Sequence, residues 1–313
     1  MSKQLLVLSR EAEQYQRLIA EADLPGLRVQ STDSASIGAG LVGDCEIILG
    51  EPVLVSQVLE AATQLKWVQS CWAGVDALCR PGLRQDYLLT GVTGQFGQLI
   101  SEYVTGYLFA LERGFFDMRD NQMQQRWLPR LYRRPGEVTV GIVGLGSIGL
   151  RLAAVLSGLG FRVIGMNTSG EACENVEQVY SPDDSDEFYH AVDYLVITLP
   201  STPRTRHFLN QETLRKLRPS SVVINVGRGS VVDANSLIQA LQNNRLRAAV
   251  LDVFETEPLP VNSPLWQMPN VYITPHVAAV SFPKDIVDVF KDNYLRYLNK
   301  QSLQHIVNFD RGY

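Results

Sequence analysis

The segment TVGIVGLGSIGLRLAAVLSGLG, which begins at Thr139, constrains the fold of this 313-residue chain more than any other stretch. An apolar run passes directly into Gly144, Gly146 and Gly149, and an amphipathic helical pattern follows at once. The first glycine of such a turn permits a tight bend, the second lets a phosphate approach the backbone, and the third lets the helix pack closely on the strand. A helix N-terminus also offers free N–H groups and partial positive charge to an anion. Together with a second apolar run at 161–166, the segment predicts a dinucleotide-binding βαβ unit.

The end of the second run bears on which dinucleotide is bound. A carboxylate there accepts hydrogen bonds from the adenosine ribose and repels a 2′-phosphate. This chain instead has Asn167, Thr168 and Ser169, and its first carboxylate after the run is Glu171. The neutral donors favour NADP over NAD, although no Arg or Lys stands in the loop to neutralise a phosphate. The alternative is that these residues only form a turn and that both cofactors are accepted.

Short apolar runs alternate with helical stretches along most of the chain, which is typical of a parallel α/β protein. Several runs of the central segment are wholly apolar, as expected for a parallel sheet covered on both faces. Before the glycine motif, the predicted strands and helices lie at 5–8, 12–22, 45–49, 54–64, 67–70 and 101–113. From the motif onward they lie at 138–143, 151–159, 162–166, 194–199, 211–217, 222–226, 235–243, 248–253, 271–274 and 284–299. We expect the last helix to return and pack on the first segment.

The polar stretch MRDNQMQQRWLPRLYRRPG, residues 118–136, predicts an exposed connector between two parts of the chain. Its arginines, Arg126, Arg130, Arg133 and Arg134, are interpreted as a solvated face or as a contact with a partner.

Composition excludes several classes of partner. The 28 basic and 33 acidic residues give a net charge of −5, which offers no attraction to nucleic acid or to an anionic membrane. No apolar run reaches 18 residues, and the N-terminal LLVL is too short for the core of a signal peptide. The four cysteines have no C-x-x-C spacing, so we expect free thiols in a reducing compartment, the cytoplasm.

Polar residues follow three predicted strands of the central segment. Arg228 lies in NVGRGSVVD, Asp252 and Glu257 lie in LDVFETEPLP, and His276 lies in ITPHVAAVS. The carboxyl ends of parallel strands meet at one edge of a sheet, so these side chains should converge beside the dinucleotide. Arg can hold a carboxylate with two parallel hydrogen bonds, and His exchanges protons near neutral pH. His276 lacks a second His or Cys at ligand spacing, so we predict no metal site.

Several motifs together resemble the D-isomer-specific 2-hydroxyacid dehydrogenase family over essentially the whole chain. They are GLGSIG, LPSTPRTRHFLN, NVGRGSVVD, LDVFETEPLP, ITPHVAAVS and the closing FDRGY, in the order and at the spacing of the family. The chain ends at Tyr313, so we expect the short form, without an appended amino-acid-binding domain.

The resemblance implies a set of functional residues. The catalytic residues of the family fall on Arg228, Glu257 and His276. Its carboxylate-binding loop falls on Trp72, Ala73, Gly74 and Val75, followed by Asp76. The implied cofactor-binding residues are Gly144, Gly146, Ser147, Ile148, Asn167, Thr168, Ser169, Pro200, Ser201, Val226, Gly227 and Asp252, with Asp252 near the nicotinamide amide.

The resemblance also implies an α/β architecture in which a Rossmann-type dinucleotide-binding domain, residues 99–279, is inserted in a smaller flavodoxin-like substrate domain, residues 1–98 and 280–313. The implied enzyme is a homodimer that interconverts a 2-oxo acid and a D-2-hydroxy acid with NADP or NAD.

The WAGVD and GQLISEYV segments, and the missing acid after the second run, are similar to glyoxylate and hydroxypyruvate reductases. Formate dehydrogenases of the family pair their His with Gln, so Glu257 argues against formate oxidation. The alternative is a dinucleotide-sensing, corepressor-like interaction module on the same fold.

Overall fold

The structure is a computed structural model that describes residues 2–312. Met1 and Tyr313, the last residue of the FDRGY motif, lie outside the described residues. In the first half of the chain the elements are β1 (Lys3–Leu8), α1 (Ala12–Glu21), β2 (Leu27–Thr32), α2 (Ala35–Leu41), β3 (Ile47–Gly50), α3 (Pro52–Val55), β4 (Trp67–Ser70), β5 (Leu88–Thr90), α4 (Phe96–Arg113), α5 (Phe115–Met123), β6 (Thr139–Val143) and α6 (Ser147–Gly158). They continue with β7 (Arg162–Met166), β8 (Gln178–Tyr180), α7 (Ser185–Ala191), β9 (Tyr194–Ile197), α8 (Gln211–Lys216), β10 (Val222–Asn225), α9 (Ala234–Gln242), β11 (Ala248–Leu251), β12 (Val271–Ile273) and α10 (Pro283–Leu298).

The chain divides into two compact units. The first combines the residues up to Gln95 with those from Ser281 onward, and the second runs from Phe96 to Val280. The boundaries expected from the sequence, after residues 98 and 279, lie within three residues of these divisions.

The first unit is built on a parallel five-stranded sheet in the order β2-β1-β3-β4-β5. This is the strand order of flavodoxin-like folds, as predicted. Leu6, Leu8, Ile48 and Val68 are fully buried on one face of the sheet. The last helix returns to the first segment as predicted. α10 packs on α1, and the ring of Phe290 stacks on that of Trp67 with 5.2 Å between the ring centroids.

The second unit contains a parallel seven-stranded sheet in the order β12-β11-β10-β9-β6-β7-β8. Counted from its own first strand, the order is 3-2-1-4-5-6-7, the Rossmann arrangement with one strand added. Alternate residues of the central strands face opposite layers: Val140, Ile142 and Val196 pack towards α4 and α6, whereas Val143 and Ile197 pack towards α7, α8 and α9. The predicted α/β fold class is therefore confirmed.

Two of the expectations about elements were wrong. Residues 54–64 do not form one helix: α3 ends at Val55, and a series of turns continues to Thr63 with hydrogen bonds such as Ala61 N–H to Val58 O. The apolar spacing there reflects side chains of successive turns, including Val58 and Leu59, that are buried in the same core. The start of the expected connector is also helical, because α5 begins at Phe115, directly after Gly114, and runs to Met123.

Arg133, interpreted from the sequence as a solvated or partner-contacting residue, instead belongs to a partly buried ion-pair network. Its guanidinium donates to Glu112 Oε1 at 2.9 Å and to Asp193 Oδ1 at 2.7 Å, and both carboxylates are 7% exposed. Arg218 and Arg247 complete the charge balance of these acids. The network ties the end of the segment after α5 to the amino ends of β9 and β11.

Across residues 2–312, no helix is both long and apolar enough to span a membrane. Nor does this part of the chain bring three or more His, Cys, Asp or Glu side chains together as a potential metal site.

Candidate active site

The glycine motif forms the turn between β6 and α6. Gly144 has a φ of +100°, a conformation that L side chains rarely adopt, and Thr198 Oγ1 donates to its carbonyl oxygen at 2.7 Å. A Cβ on Gly149 would lie 2.1 Å from Gly144 O, so the helix can approach the strand only without a side chain at that position. These two glycines set the backbone path of the turn.

Gly146 has a different role from its neighbours. It is the N-cap residue of the 12-residue α6 in an ordinary extended conformation, and none of the described atoms lies within 4 Å of the position that its Cβ would take. As a glycine, Gly146 has no side chain to cap the first N–H groups of the helix. Open space at Gly146 next to uncapped N–H groups fits the pyrophosphate of a dinucleotide, with Ser147 and Ile148 in the first turn beside it.

The loop after β7 is organised by Asn167. Its Oδ1 accepts from the backbone N–H groups of Ser169 at 3.1 Å and Gly170 at 2.6 Å, and its Nδ2 donates to Glu171 O. The Asn167 side chain therefore builds the turn itself. Thr168 and Ser169 are exposed on the surface of this turn, where their hydroxyls can meet the adenosine ribose or a phosphate on it.

The loops after β9 and β10 lie against each other. Ser201 Oγ and Ser230 Oγ are 2.9 Å apart, and Thr205 Oγ1 donates to Pro200 O at 2.6 Å. Val226 is buried, and a Cβ on Gly227 would meet Leu199 O at 2.6 Å. The predicted cofactor residues of these two loops thus lie at the carboxyl ends of β9 and β10. The close backbone contacts there require glycine at Gly227.

His276 and Glu257 form a hydrogen-bonded pair. His276 Nδ1 donates to Glu257 Oε2 at 2.8 Å, while Glu257 Oε1 accepts from Phe254 N–H at 2.9 Å. The hydrogen bond that His276 donates to Glu257 raises the pKa of His276 above its ordinary value, against the opposing effect of burial. Burial alone would raise the pKa of Glu257, but hydrogen bonds from His276 and Phe254 N–H and nearby positive charge lower it overall. The pair therefore favours imidazolium next to carboxylate.

Arg228 lies on the neighbouring loop, close enough for its charge to act on both members of this pair. Its Nη1 donates to Gly227 O at 2.7 Å. The side chain of Asn225, 1% exposed, fixes the turn by donating to Arg228 O at 3.0 Å and accepting from Gly227 N–H at 3.2 Å. The structure thus brings the three predicted catalytic residues together in the second unit.

Sequence reasoning missed Asn225 as a functional residue. Its signal was a single polar side chain at the end of an apolar strand directly before Gly227 and Arg228.

Asp252 is 2% exposed, and its carboxylate accepts hydrogen bonds from Thr274 Oγ1, Val277 N–H and Ala278 N–H at 2.6, 2.8 and 3.0 Å. These bonds place it beneath the turn that carries His276. The expected position near the nicotinamide amide stays a prediction.

The predicted carboxylate-binding loop follows β4 in the first unit. Ser70 shapes it, because its hydroxyl donates to Trp72 O at 2.8 Å and accepts from Trp72 N–H at 3.0 Å. Trp72 and Gly74 are partly exposed, Ala73 is exposed, and Val75 packs in the core. Residues 72–74 are therefore partly or fully exposed, the backbone of Trp72 is hydrogen-bonded to Ser70, and Val75 anchors the loop.

Comparison with known proteins extends these observations. The model of the NAD-binding domain of D-isomer-specific 2-hydroxyacid dehydrogenases matches residues 105–278, more than half of the chain. A glyoxylate/hydroxypyruvate reductase A of Klebsiella pneumoniae subsp. pneumoniae is 32% identical over 309 residues, with 96% of each chain covered.

Solved structures agree with this match. A D-isomer-specific 2-hydroxyacid dehydrogenase family protein from Aeromonas salmonicida subsp. salmonicida has 38% identity and a TM-score of 0.93, covering 99% of this chain and 100% of the other. An NADPH-dependent glyoxylate/hydroxypyruvate reductase from Sinorhizobium meliloti, in complex with NADP and sulfate, has 30% identity and a TM-score of 0.89, with both chains fully covered.

The fold and the site thus define a dinucleotide-dependent oxidoreductase. The chain belongs to the D-isomer-specific 2-hydroxyacid dehydrogenase family. Its reaction class is the NAD(P)-dependent interconversion of a 2-oxo acid and a 2-hydroxy acid, and the expectation of an enzyme is confirmed over the sensing alternative.

Proposed function

We propose that this protein reduces small 2-oxo acids such as glyoxylate or hydroxypyruvate to D-2-hydroxy acids, with NADPH preferred over NADH. The observation that carries the proposal is the His276–Glu257 pair, with a 2.8 Å hydrogen bond, next to Arg228 at the carboxyl edge of a Rossmann sheet. The names of the Klebsiella and Sinorhizobium relatives support the choice of substrate.

His276 is the general acid of the proposed reaction. Because Nδ1 is engaged by Glu257, Nε2 is the nitrogen left to donate a proton to the oxygen of the ketone. Glu257 keeps the imidazole protonated and fixes its orientation. A bound nicotinamide supplies the hydride to the carbonyl carbon.

Arg228 holds the substrate carboxylate and polarises the carbonyl in this proposal, since a guanidinium matches a carboxylate with two parallel donors. Trp72, Ala73, Gly74 and Val75 are assigned to carboxylate binding from the resemblance. The exposure of Ala73 and the partial exposure of Trp72 and Gly74 support the assignment.

The preference for NADPH rests on the loop after β7. The exposed hydroxyls of Thr168 and Ser169 can donate hydrogen bonds to a 2′-phosphate. The loop has no carboxylate before Glu171 that would repel this phosphate. The NADP bound in the Sinorhizobium relative supports the same choice.

Substitution of His276 by Ala tests the proposed chemistry. We expect kcat with glyoxylate and NADPH to fall about 10²–10⁴-fold, the range for a lost general acid, while the Kd for NADPH stays near that of the unmodified protein. Arg228→Gln is expected to raise KM for the 2-oxo acid as well as to lower kcat. An Ala variant at 276 that keeps most of its turnover would remove His276 from the reaction.

We further propose a cytoplasmic homodimer. Apolar side chains are exposed on α5 and the segment after it, with Trp127 at 96% and Leu131 at 98% exposure. A second copy of the chain is the partner that would cover them, as the family resemblance implies. The free thiols of all four cysteines support a reducing compartment.

A further inference from the structure

Two hydroxyl groups lie behind the turn that carries His276 and have no role in the reaction described so far. We propose that Thr274 and Tyr103 are positioning residues for His276, acting through the Asp252 carboxylate that fixes the backbone of its turn. This inference rests on the proposed role of His276 as general acid.

The turn needs such support because His276 has a φ of 56°, in the left-handed region that residues other than glycine seldom occupy. Hydrogen bonds to Asp252 surround this residue. His276 N–H donates to Asp252 O at 2.9 Å, and the next two N–H groups, of Val277 and Ala278, donate to the Asp252 carboxylate. The orientation of that carboxylate therefore determines whether the strained conformation persists.

Thr274 is the side chain that donates to the Asp252 carboxylate, beside the N–H groups of Val277 and Ala278, and Tyr103 contacts Thr274. Thr274 Oγ1 donates its only proton to Asp252 Oδ1 at 2.6 Å, so it must accept from Tyr103 Oη, which lies 2.6 Å away. Burial raises the pKa of Tyr103 above its usual range, so this hydroxyl stays a donor at working pH. A directed chain of hydrogen bonds thus runs from α4 through β12 to the His276 turn.

This chain of hydrogen bonds acts on the backbone of His276, whereas Glu257 acts on its imidazole ring. The charged groups that influence the ring are Glu257, Arg228 and Asp252. Tyr103 and Tyr107, from α4, lie on the Asp252 side. Because Asp252 contacts no ring nitrogen, loss of its orientation should weaken the His276–Glu257 bond through a change of the turn.

Thr274→Val removes the hydroxyl while keeping the branched shape that suits the end of a strand. We expect kcat to fall about tenfold, the effect of one lost hydrogen bond to a charged group, with little change in KM for the cofactor. Thr274→Ser restores the donor and should recover most of this loss. Tyr103→Phe removes only the outer hydroxyl, so its loss should be smaller than that of Thr274→Val.

Thr105→Val is the matched control on α4. The Thr105 hydroxyl is buried and has no hydrogen-bond partner among the described residues, so the same chemical change there breaks no bond. Its kcat and pH profile should equal those of the unmodified protein.

The deciding experiment combines kinetics with an NMR titration of the His276 imidazole in the unmodified protein and in the three variants of Thr274 and Tyr103. If the turn relaxes in Thr274→Val, the pKa of His276 should fall towards its ordinary value of about 6.5, and Thr274→Ser should restore it. An unchanged titration in folded Thr274→Val would overturn the positioning role, whatever the activity. If the unmodified protein reduces no 2-oxo acid, the proposed function fails, and the titration still decides whether Thr274 orients His276.

Discussion

The hydrogen bond to Glu257 is the largest influence on the pKa of His276. Glu257 is held at both carboxylate oxygens, by His276 Nδ1 and by Phe254 N–H, so its charge cannot turn away from the imidazole. This arrangement raises the pKa of His276 and lowers that of Glu257. The proposed general acid is therefore charged over a wider range of pH than a free histidine.

Glu257→Gln should move the pH profile of the reduction. In the proposed reaction His276 must be protonated, so the rate should be highest below the pKa of His276 and fall as the pH rises through it. Without the carboxylate this pKa drops, and the fall in kcat/KM should begin at lower pH, measured from about pH 6 to 9.

Glu255→Gln is the matched control for that profile, because Glu255 forms its ion pair with Arg206. Its profile should follow that of the unmodified protein. If Glu257→Gln also left the profile in place, Glu257 would have no part in setting the charge of His276.

At the scale of elements, the glycines of the β6–α6 turn differ in role: Gly144 and Gly149 shape the turn, whereas Gly146 faces open space. Gly146→Ala should fold with an unchanged Tm, since its φ of −80° suits alanine and its Cβ meets no described atom. The added methyl should nevertheless weaken dinucleotide binding, measured as a Kd for NADPH by fluorescence.

Gly149→Ala gives the opposite pattern. Its Cβ would lie 2.1 Å from Gly144 O, so the helix must move and Tm should fall. A Gly146→Ala protein that bound NADPH as tightly as the unmodified one would show that no phosphate lies at this turn.

Most of the strands that the sequence reveals lie in the sheet interiors, and β12, predicted at 271–274, is the edge strand that it also reveals. The central β6, β9, β10 and β11 are fully buried and wholly or almost wholly apolar, so their runs stand out. β2 and β8 lie at sheet edges, where exposed and polar residues dilute the apolar pattern, so the sequence did not predict them.

The candidate site divides in a similar way. Arg228, Glu257 and His276 could be found because each is polar within an apolar frame and matches a family motif. The residues that support the site could not be found from the sequence, because their hydrogen bonds join distant parts of the chain. Tyr103 read as part of the apolar stripe of a helix, and its contact with Thr274 joins residues 171 positions apart.

At the scale of the whole molecule, apolar side chains of α5 and the following segment, including Trp127 and Leu131, are left uncovered by the fold of one chain. Trp127→Asp combined with Leu131→Asp should convert a dimer into monomers, measured by sedimentation velocity, because it places two charges in an apolar contact.

Val261→Asp is the control for this test, since Val261 is equally exposed, at 97%, but lies on a different loop of the second unit. It should leave the sedimentation coefficient unchanged. Dimers that persist in the double variant would place the interface elsewhere.

Initial rates of NADPH and NADH oxidation by the purified protein test most directly whether the chain reduces small 2-oxo acids. Glyoxylate, hydroxypyruvate, pyruvate and phenylpyruvate form the panel, with His276→Ala as the matched inactive protein. We predict rapid NADPH oxidation with glyoxylate or hydroxypyruvate, slower oxidation of NADH, and loss of both with His276→Ala. Binding of NADPH without turnover of any of these acids would contradict the proposed function.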